Sequence, residues 1–245
     1  MLRLDLMHVL DLKGVIAIAA GSLLLHLVQN FRCLGRVEQD RMDDLNAQMK
    51  EFQSRTGVQH LMPPLRIDDL KAHGWAVMGS KLVKAANSRS MVPFLAHLAN
   101  KYFPAHGGFA SSIRKVFRSL DAAERIFYSE GMFLSDAAKV ELTDSLNCMG
   151  RHWQHLRGLS HDNHKNEWQI TPKVHIAVCA IAEQALLINP RAVQNYGEES
   201  MVGRMTKIWG ASANGPYRPI AQQVNLVRYL TGLNIRVTSD QLDCP

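Results

Sequence analysis

The stretch "GVIAIAAGSLLLHLV", residues 14–28, decides the fold class of this chain. A membrane span would explain its apolar character, but the run has about 15 residues where a span needs about 20, and it contains His26. A signal peptide is disfavoured because Asp5 and Asp11 lie in what should be a positive leader and "QNFRCLG" offers no small-residue cleavage site. The stretch therefore predicts a helix buried inside a protein, and no membrane association.

The composition around this helix favours a mainly helical protein. The chain has 245 residues, of which 47% are hydrophobic, so it can bury an ordinary core. Aromatic residues make up only 7%, and the dipeptides of tight hairpin turns are nearly absent. The four cysteines have no spacing that indicates disulfides or a zinc site, which fits a reducing, intracellular compartment. The predicted fold class is mainly α, a multi-helix bundle.

Periodicity and capping signals place the other helices. Residues 3–12 alternate apolar and polar side chains, which predicts a short strand or an extended segment before the buried helix. Pro93 is expected to kink or divide the helix that starts near Ser80, because proline cannot donate a hydrogen bond to the preceding turn. The remaining predicted helices span residues 36–56, a short segment at 67–73, 109–129, 135–159, a helix with Thr171 as N-cap and Pro172 at its first position, and about 219–231.

Positive charge is concentrated in two windows without acids. The net charge is +6, and neither the stretch between Asp69 and Asp121 nor residues 200–239 contain an aspartate or glutamate. Such windows favour binding to phosphate backbones, although they also occur where basic residues only solvate helix faces. The candidate nucleic-acid-binding residues are Lys81, Lys84, Arg89, Arg114, Lys115, Arg118, Arg204 and Lys207.

Two groups of residues are candidates for a metal site. The segment 152–164 contains His152, His155, His161 and His164, and imidazole is a good zinc ligand, but no cysteine pair accompanies them. Glu198 and Glu199 stand at the predicted start of a helix. They either complement the helix dipole or supply hard oxygen ligands to a divalent cation, and the residues alone leave both interpretations open.

The motif Asp5-x-x-His8 near one end of the chain, and Pro172-x-x-His175 followed by Tyr196, Glu199 and Gly203 near the other, together resemble the C-terminal half of CACTA-type (En/Spm-like) DNA transposases. "LDLMHVLDLKGVIAIAAGSLLLHLV" is similar to that family's pattern of an apolar residue, Asp, two residues, His and a helix rich in small residues, with Asp5 and His8 at the motif positions. "ITPKVHIAVCAIAEQALLINPRAVQNYGEESMVGRM" resembles the stretch in which a Pro-x-x-His helix precedes an aromatic residue, a Glu and a Gly. The matching positions are Pro172, His175, Tyr196, Glu199 and Gly203.

This resemblance implies a cut-and-paste transposase with an RNase H-like DDE core. Glu199 would be the third metal-binding carboxylate, and Asp5 and His8 would belong to the remnant of the catalytic core. Residues 1–13 would form an extended remnant of that core, 14–185 an α-helical insertion, and 186–245 the terminal helices that include the catalytic one.

The same resemblance implies that the chain is incomplete as an enzyme. The family's first two catalytic aspartates lie upstream of the Asp-x-x-His motif, and one carboxylate cannot hold a pair of metal ions. The expectation is therefore a transposase fragment in the nucleus that binds DNA without catalysis. It would use Mg²⁺ only with a complete core, which a protein partner would supply. The alternative is an α-helical protein-interaction domain with no catalytic activity.

Overall fold

The buried helix predicted from residues 14–28 is the centre of the fold. The computed structural model describes residues 5–11, 14–57, 63–79 and 85–193, all within one compact unit, Met1–Gln194. In it, helix α1, Val15–Asn30, is buried along almost its entire length. Both its apolar and its small residues contact neighbours, and α1 exposes only Gln29 and Asn30, in its last turn, to solvent.

Five further helices and one hairpin surround α1 in the described part of the chain. Helices α4 and α5 are joined by a short loop and pack along each other as the most extensive helix pair, and α6 packs on α5. A wide π-helical turn covers Met7–Asp11, and tight 3₁₀ turns cover Arg32–Leu34, Ile67–Leu70 and Pro190–Val193. The other elements are α2 Glu38–Thr56, β1 Lys71–Ala72, β2 Trp75–Ala76, α3 Ala85–Tyr102, α4 Gly108–Ser129, α5 Asp136–Asp162 and α6 Pro172–Ala185.

The capping signals in the sequence explain where several helices begin and end. Gly57 adopts a left-handed conformation, with φ of 66°, at the end of α2. Ser135 accepts a hydrogen bond from the Ala138 amide at the start of α5. Pro172 stands at the first position of α6, directly after Thr171. The predictions for these three helices and for α4 are therefore confirmed.

The strand or extended segment predicted for residues 3–12 is wrong for residues 6–11, which are the part of it that the structure shows as helix. Leu6–Asp11 is helical, with the Val9 amide donating to the Asp5 carbonyl at 3.1 Å. The same residues satisfy a helical pattern, because Leu6, Met7 and Leu10 share a buried face and Asp5 caps the turn through the Met7 amide at 3.0 Å. A strand also needs a partner, and the only sheet in the described residues is the hairpin β1–β2, so they contain no RNase H-like core.

Two smaller predictions also need correction. The segment 67–73 forms one helical turn followed by the hairpin, whose turn residues His73 and Gly74 both have positive φ, at 51° and 78°. Pro93 lies inside α3 and does not divide it, so of the two predicted outcomes only the kink stays a prediction. Its neighbours Val92 and Phe94 are buried, so their packing offsets the hydrogen bond that proline removes.

In the part of the chain that the structure describes, one helical stretch, Met7–Asn30, is apolar and long enough to cross a membrane by length and composition alone. However, 94% of its most apolar window is buried inside the protein. This is the position of a core helix, as the sequence predicts.

Candidate nucleic-acid interface

Asp5 and His8, the motif positions of the transposase resemblance, contact each other at the start of the first helical turn. Asp5 Oδ2 lies 2.6 Å from His8 Nδ1, and Asp5 Oδ1 accepts a hydrogen bond from the Met7 amide. Asp5 therefore acts here as a capping residue for its own turn. Its predicted role beside a metal-binding Glu199 stays a prediction, because Glu199 lies outside the described residues.

The other residues of that predicted centre lie mostly outside the described part as well. This holds for Glu198, Tyr196, Gly203, Arg204 and Lys207. His175 is described, and it lies exposed on α6 with its Nδ1 3.8 Å from the Cys179 sulfur. Within the described residues, no three histidine, cysteine or acidic side chains come together as a metal site.

Among the candidate nucleic-acid ligands, Lys81 and Lys84 lie outside the described residues, and Arg89 belongs to a buried cluster. The Arg89 guanidinium stacks on the Tyr128 ring at 4.4 Å from its centroid and donates to the Tyr128 hydroxyl. Arg191 covers the same ring at 4.0 Å. This cluster, which also includes the buried Asp11 and Glu124, joins α3 to α4.

Glu124 gives this cluster a pH-dependent stability. Burial raises its pKa well above the ordinary value of 4.5, the neighbouring Asp11 and Asp121 raise it further, and Arg89 lowers it. Neither of its carboxyl oxygens has a hydrogen-bond partner in the described residues. The folded protein therefore keeps this proton at a pH where the unfolded chain has released it. The stabilisation is complete below pH 4.5 and is lost as the pH rises through the folded-state pKa.

A Glu124→Gln variant should be more stable than the unmodified protein at pH 8 by on the order of 1 kcal/mol, because no buried carboxylate then has to ionise. The loss of stability between pH 5 and pH 8 should also become shallower. Urea unfolding at several pH values measures both effects. The exposed Glu141→Gln is the matched control, and an identical pH dependence in the Glu124 variant and the unmodified protein would contradict the assignment.

The start of α4 faces the middle of α5 across a cavity of about 530 Å³ lined by cationic and imidazole side chains. We call this cavity and its side chains the basic end. No carboxylate is among the described residues that line it, and neither Lys115 nor Arg151 forms an ion pair within the described part. Its side chains are His106, Lys115, Arg151, His152 and His155, with Ser111, Ser112 and the backbone of Gly107 and Gly108 beside them.

The first turn of α4 contributes its own positive potential to the basic end. Gly107 caps the helix with φ of 99°, and no side chain caps the first amides. Because α4 has 22 residues, its N-terminus carries the partial positive charge of a full helix dipole. The basic end therefore favours an anion as its ligand, because the first amides of α4, the lysine ammonium, the arginine guanidinium and the histidine imidazoles can all bind one.

The pKa of His152 is lowered in these surroundings. Burial lowers its pKa, and the nearby Lys115, Arg151 and His155 lower it further. Its Nδ1 lies 3.0 Å from the Ser112 hydroxyl. The other two histidines of the sequence cluster, His161 and His164, are exposed and do not line the basic end.

A larger groove of about 1150 Å³ continues from Lys115 along α4 and α5. Lys115, Arg118 and Arg125 line it from α4 together with Asp121, whereas Asp136, Glu141 and Asp144 line it from α5. Arg114 lies apart from the groove and donates to the Phe103 carbonyl at 3.3 Å. The field that attracts anions is thus strongest at the basic end and falls along the groove.

Of the charged residues at the basic end, only Lys115 is a nucleic-acid contact predicted from the sequence, whereas Arg151 and the histidines His106, His152 and His155 are not. Part of this grouping can be predicted from the sequence, since Arg151 and His155 are four residues apart and share a helix face. Which face of α5 meets α4 is a tertiary property that the spacing alone does not give.

Comparisons with protein-family models, with curated proteins and with solved structures found no match for this chain.

Proposed function

We propose that this protein binds the phosphate backbone of nucleic acid through the basic end and the adjoining Arg118. The observation that carries the proposal is a cavity lined by Lys115, Arg151 and three histidines, without a carboxylate among its described lining residues. Such a site contacts phosphate and does not read bases, so binding should show little sequence preference. The proposal extends to DNA, as the transposase resemblance implies, with the chain acting as a transposase-derived fragment.

The proposal assigns no catalysis to this chain. Phosphodiester chemistry by the DDE mechanism needs carboxylates from several elements around Mg²⁺, and the described residues bring no such group together. A protein partner carrying the remaining acids would have to complete that centre. Glu199 and its neighbours keep their proposed role only within such an assembly.

Binding of mixed-sequence duplex DNA, measured by fluorescence anisotropy between about 50 and 200 mM salt, tests the proposal. The logarithm of the affinity should fall linearly with the logarithm of the salt concentration. A Lys115→Glu, Arg151→Glu variant should bind at least about tenfold more weakly, and its salt slope should be smaller by about 2, because two phosphate contacts are lost.

The matched control is Lys50→Glu, Arg55→Glu on α2, which makes the same change in net charge at two exposed positions. It should retain most of the affinity. Equal losses in both double variants would show that only net charge matters, and an absence of binding at low salt would overturn the proposal.

The second candidate function, a protein-interaction domain, is favoured by a different surface. The loop between α4 and α5 approaches the end of α6, where the Asn189 amide donates to the Met132 carbonyl at 2.8 Å. Large apolar side chains are exposed on these two segments, namely Met132, Phe133, Leu186 and Leu187. Exposed apolar groups of this kind mark protein contacts. Failure of the DNA-binding experiment would leave this function as the better supported one.

A further inference from the structure

The basic end contains three imidazoles beside two side chains that are cationic at neutral pH. His152 and His155 line the cavity from α5, and His106 lines it from the segment before α4. The two cations are Lys115 and Arg151. Histidine is the side chain whose charge ordinarily changes between pH 5 and pH 8, so the positive charge of this cavity changes with pH in that range.

The hydrogen bonds of Ser112 assign the tautomer of His152. The Ser112 side chain is buried, and its hydroxyl donates its single proton to the Gly108 carbonyl at 2.7 Å. The same hydroxyl oxygen lies 3.0 Å from His152 Nδ1 and therefore accepts a hydrogen bond from it. The neutral ring thus carries its proton on Nδ1, and Nε2 is the nitrogen that takes up a second proton.

In the free protein, the surroundings of His152 oppose this second proton. Burial lowers its pKa below the ordinary 6.5, and Lys115 on α4 and Arg151 and His155 on α5 lower it further. The His155 ring lies against the first residue of α4, because a Cβ atom added to Gly108 would be 3.3 Å from His155 Nε2. No carboxylate is among the described residues that line the cavity to offset this positive charge.

We infer that the basic end binds phosphate together with a proton, which the His152 ring takes up. This inference rests on the proposed function and adds how pH regulates the same site. A phosphate in the cavity brings negative charge beside Lys115, Arg151 and His152, and so offsets the repulsion that keeps the ring neutral. Because linkage is reciprocal, protonation of the ring then tightens phosphate binding by the same factor.

The affinity for DNA should therefore rise as the pH falls. Above the pKa that His152 has in the complex, the ring is neutral in both states and the affinity is constant. Between that pKa and the lower pKa of the free protein, one linked proton raises the affinity by up to about tenfold per pH unit. Backbone phosphates keep their negative charge over this range, so the protein supplies the pH dependence.

Fluorescence anisotropy with mixed-sequence duplex DNA, at one fixed salt concentration and at pH 8 and pH 5.5, tests the inference. The unmodified protein should bind at least about tenfold more tightly at pH 5.5. His152→Gln keeps a polar group beside Ser112 but cannot become charged. This variant should match the unmodified protein at pH 8 and gain less than about threefold at pH 5.5.

Proton uptake is measured directly by isothermal titration of the unmodified protein with the same DNA at pH 6.5. The heats in two buffers with different ionisation enthalpies should show that about 0.5–1 proton is taken up for each protein bound. This measurement decides the question if His152→Gln does not fold. An absence of proton uptake would overturn the inference.

The matched control is His161→Gln, which removes an exposed imidazole from the same helix outside the cavity. It should keep the full gain in affinity at pH 5.5. Equal losses of that gain in the two variants would show that only the rise in net charge matters, which would also overturn the inference. DNA binding with a pH-independent affinity would end the inference and leave the proposed function standing, whereas no binding at low salt would end both.

Discussion

A Gly21→Ala variant is expected to unfold with a free energy lower by about 3 kcal/mol, although alanine is the better helix former. Gly21 lies in the middle of α1, and a Cβ atom there would be 2.5 Å from the Cα and 2.6 Å from the amide nitrogen of Val77. Both are backbone atoms, so no side-chain rotation relieves the overlap. The Met78 amide also donates to the Ala17 carbonyl at 3.0 Å, which fixes this segment against the helix.

The control for this variant is Gly158→Ala, on the exposed face of α5. No atom would lie within 4 Å of its new Cβ, so the helix propensity of alanine should act alone. That change should raise the free energy of unfolding by about 0.5–1 kcal/mol. Urea unfolding followed by helical circular dichroism measures both. If the two substitutions shift stability in the same direction, the close approach of Val77 to α1 is wrong.

The sequence predicts most helices because their signals are local. The apolar run at 14–28, the glycine after α2 and the Thr171-Pro172 start of α6 each act through their own or adjacent residues. The prediction for residues 3–12 was wrong because a segment of ten residues can satisfy both the two-residue period of a strand and the 3.6-residue period of a helix. Only the packing of the fold decides between the two. Leu6 and Met7 are both buried as consecutive residues, which an alternating strand does not provide.

The candidate sites depend on contacts that no local pattern contains. His152 and Lys115 are 37 residues apart in the chain, yet they lie on one surface because α5 packs back along α4. Nothing in the sequence distinguishes Glu167 from an exposed acid. In the fold it is buried, because its neighbours Trp168 and Asn166 form hydrogen bonds with Ser22 and Ala76. His26 appears in the sequence only as a polar interruption of an apolar helix, whereas in the fold it lines a cavity.

The second large effect is expected at Trp153. This side chain is completely buried in α5, and its indole N–H donates to the carbonyls of Trp168 at 3.2 Å and Gln169 at 3.3 Å. The two indole rings are perpendicular, with centroids 5.4 Å apart. Trp168 has a positive φ of 55°, which is unfavourable for a bulky residue and persists only because the surrounding contacts hold it.

Trp153→Ala should therefore lower the free energy of unfolding by about 3–5 kcal/mol, since it creates a large cavity, and relief of the strain at Trp168 offsets only part of this loss. Trp153→Phe keeps an aromatic ring but loses the N–H donor, so it should cost about 1–3 kcal/mol through the unpaired carbonyls. Trp75→Ala is the control, because Trp75 is only half-buried and stacks with Arg157 at 4.7 Å.

Hydrogen exchange distinguishes local from global effects of the Trp153 variants. The Trp168 amide, which donates to Ser22, should exchange faster in Trp153→Phe even under conditions where the protein stays folded. Unchanged exchange at Trp168, together with a stability loss no larger than that of Trp75→Ala, would show that Trp153 does not anchor this segment.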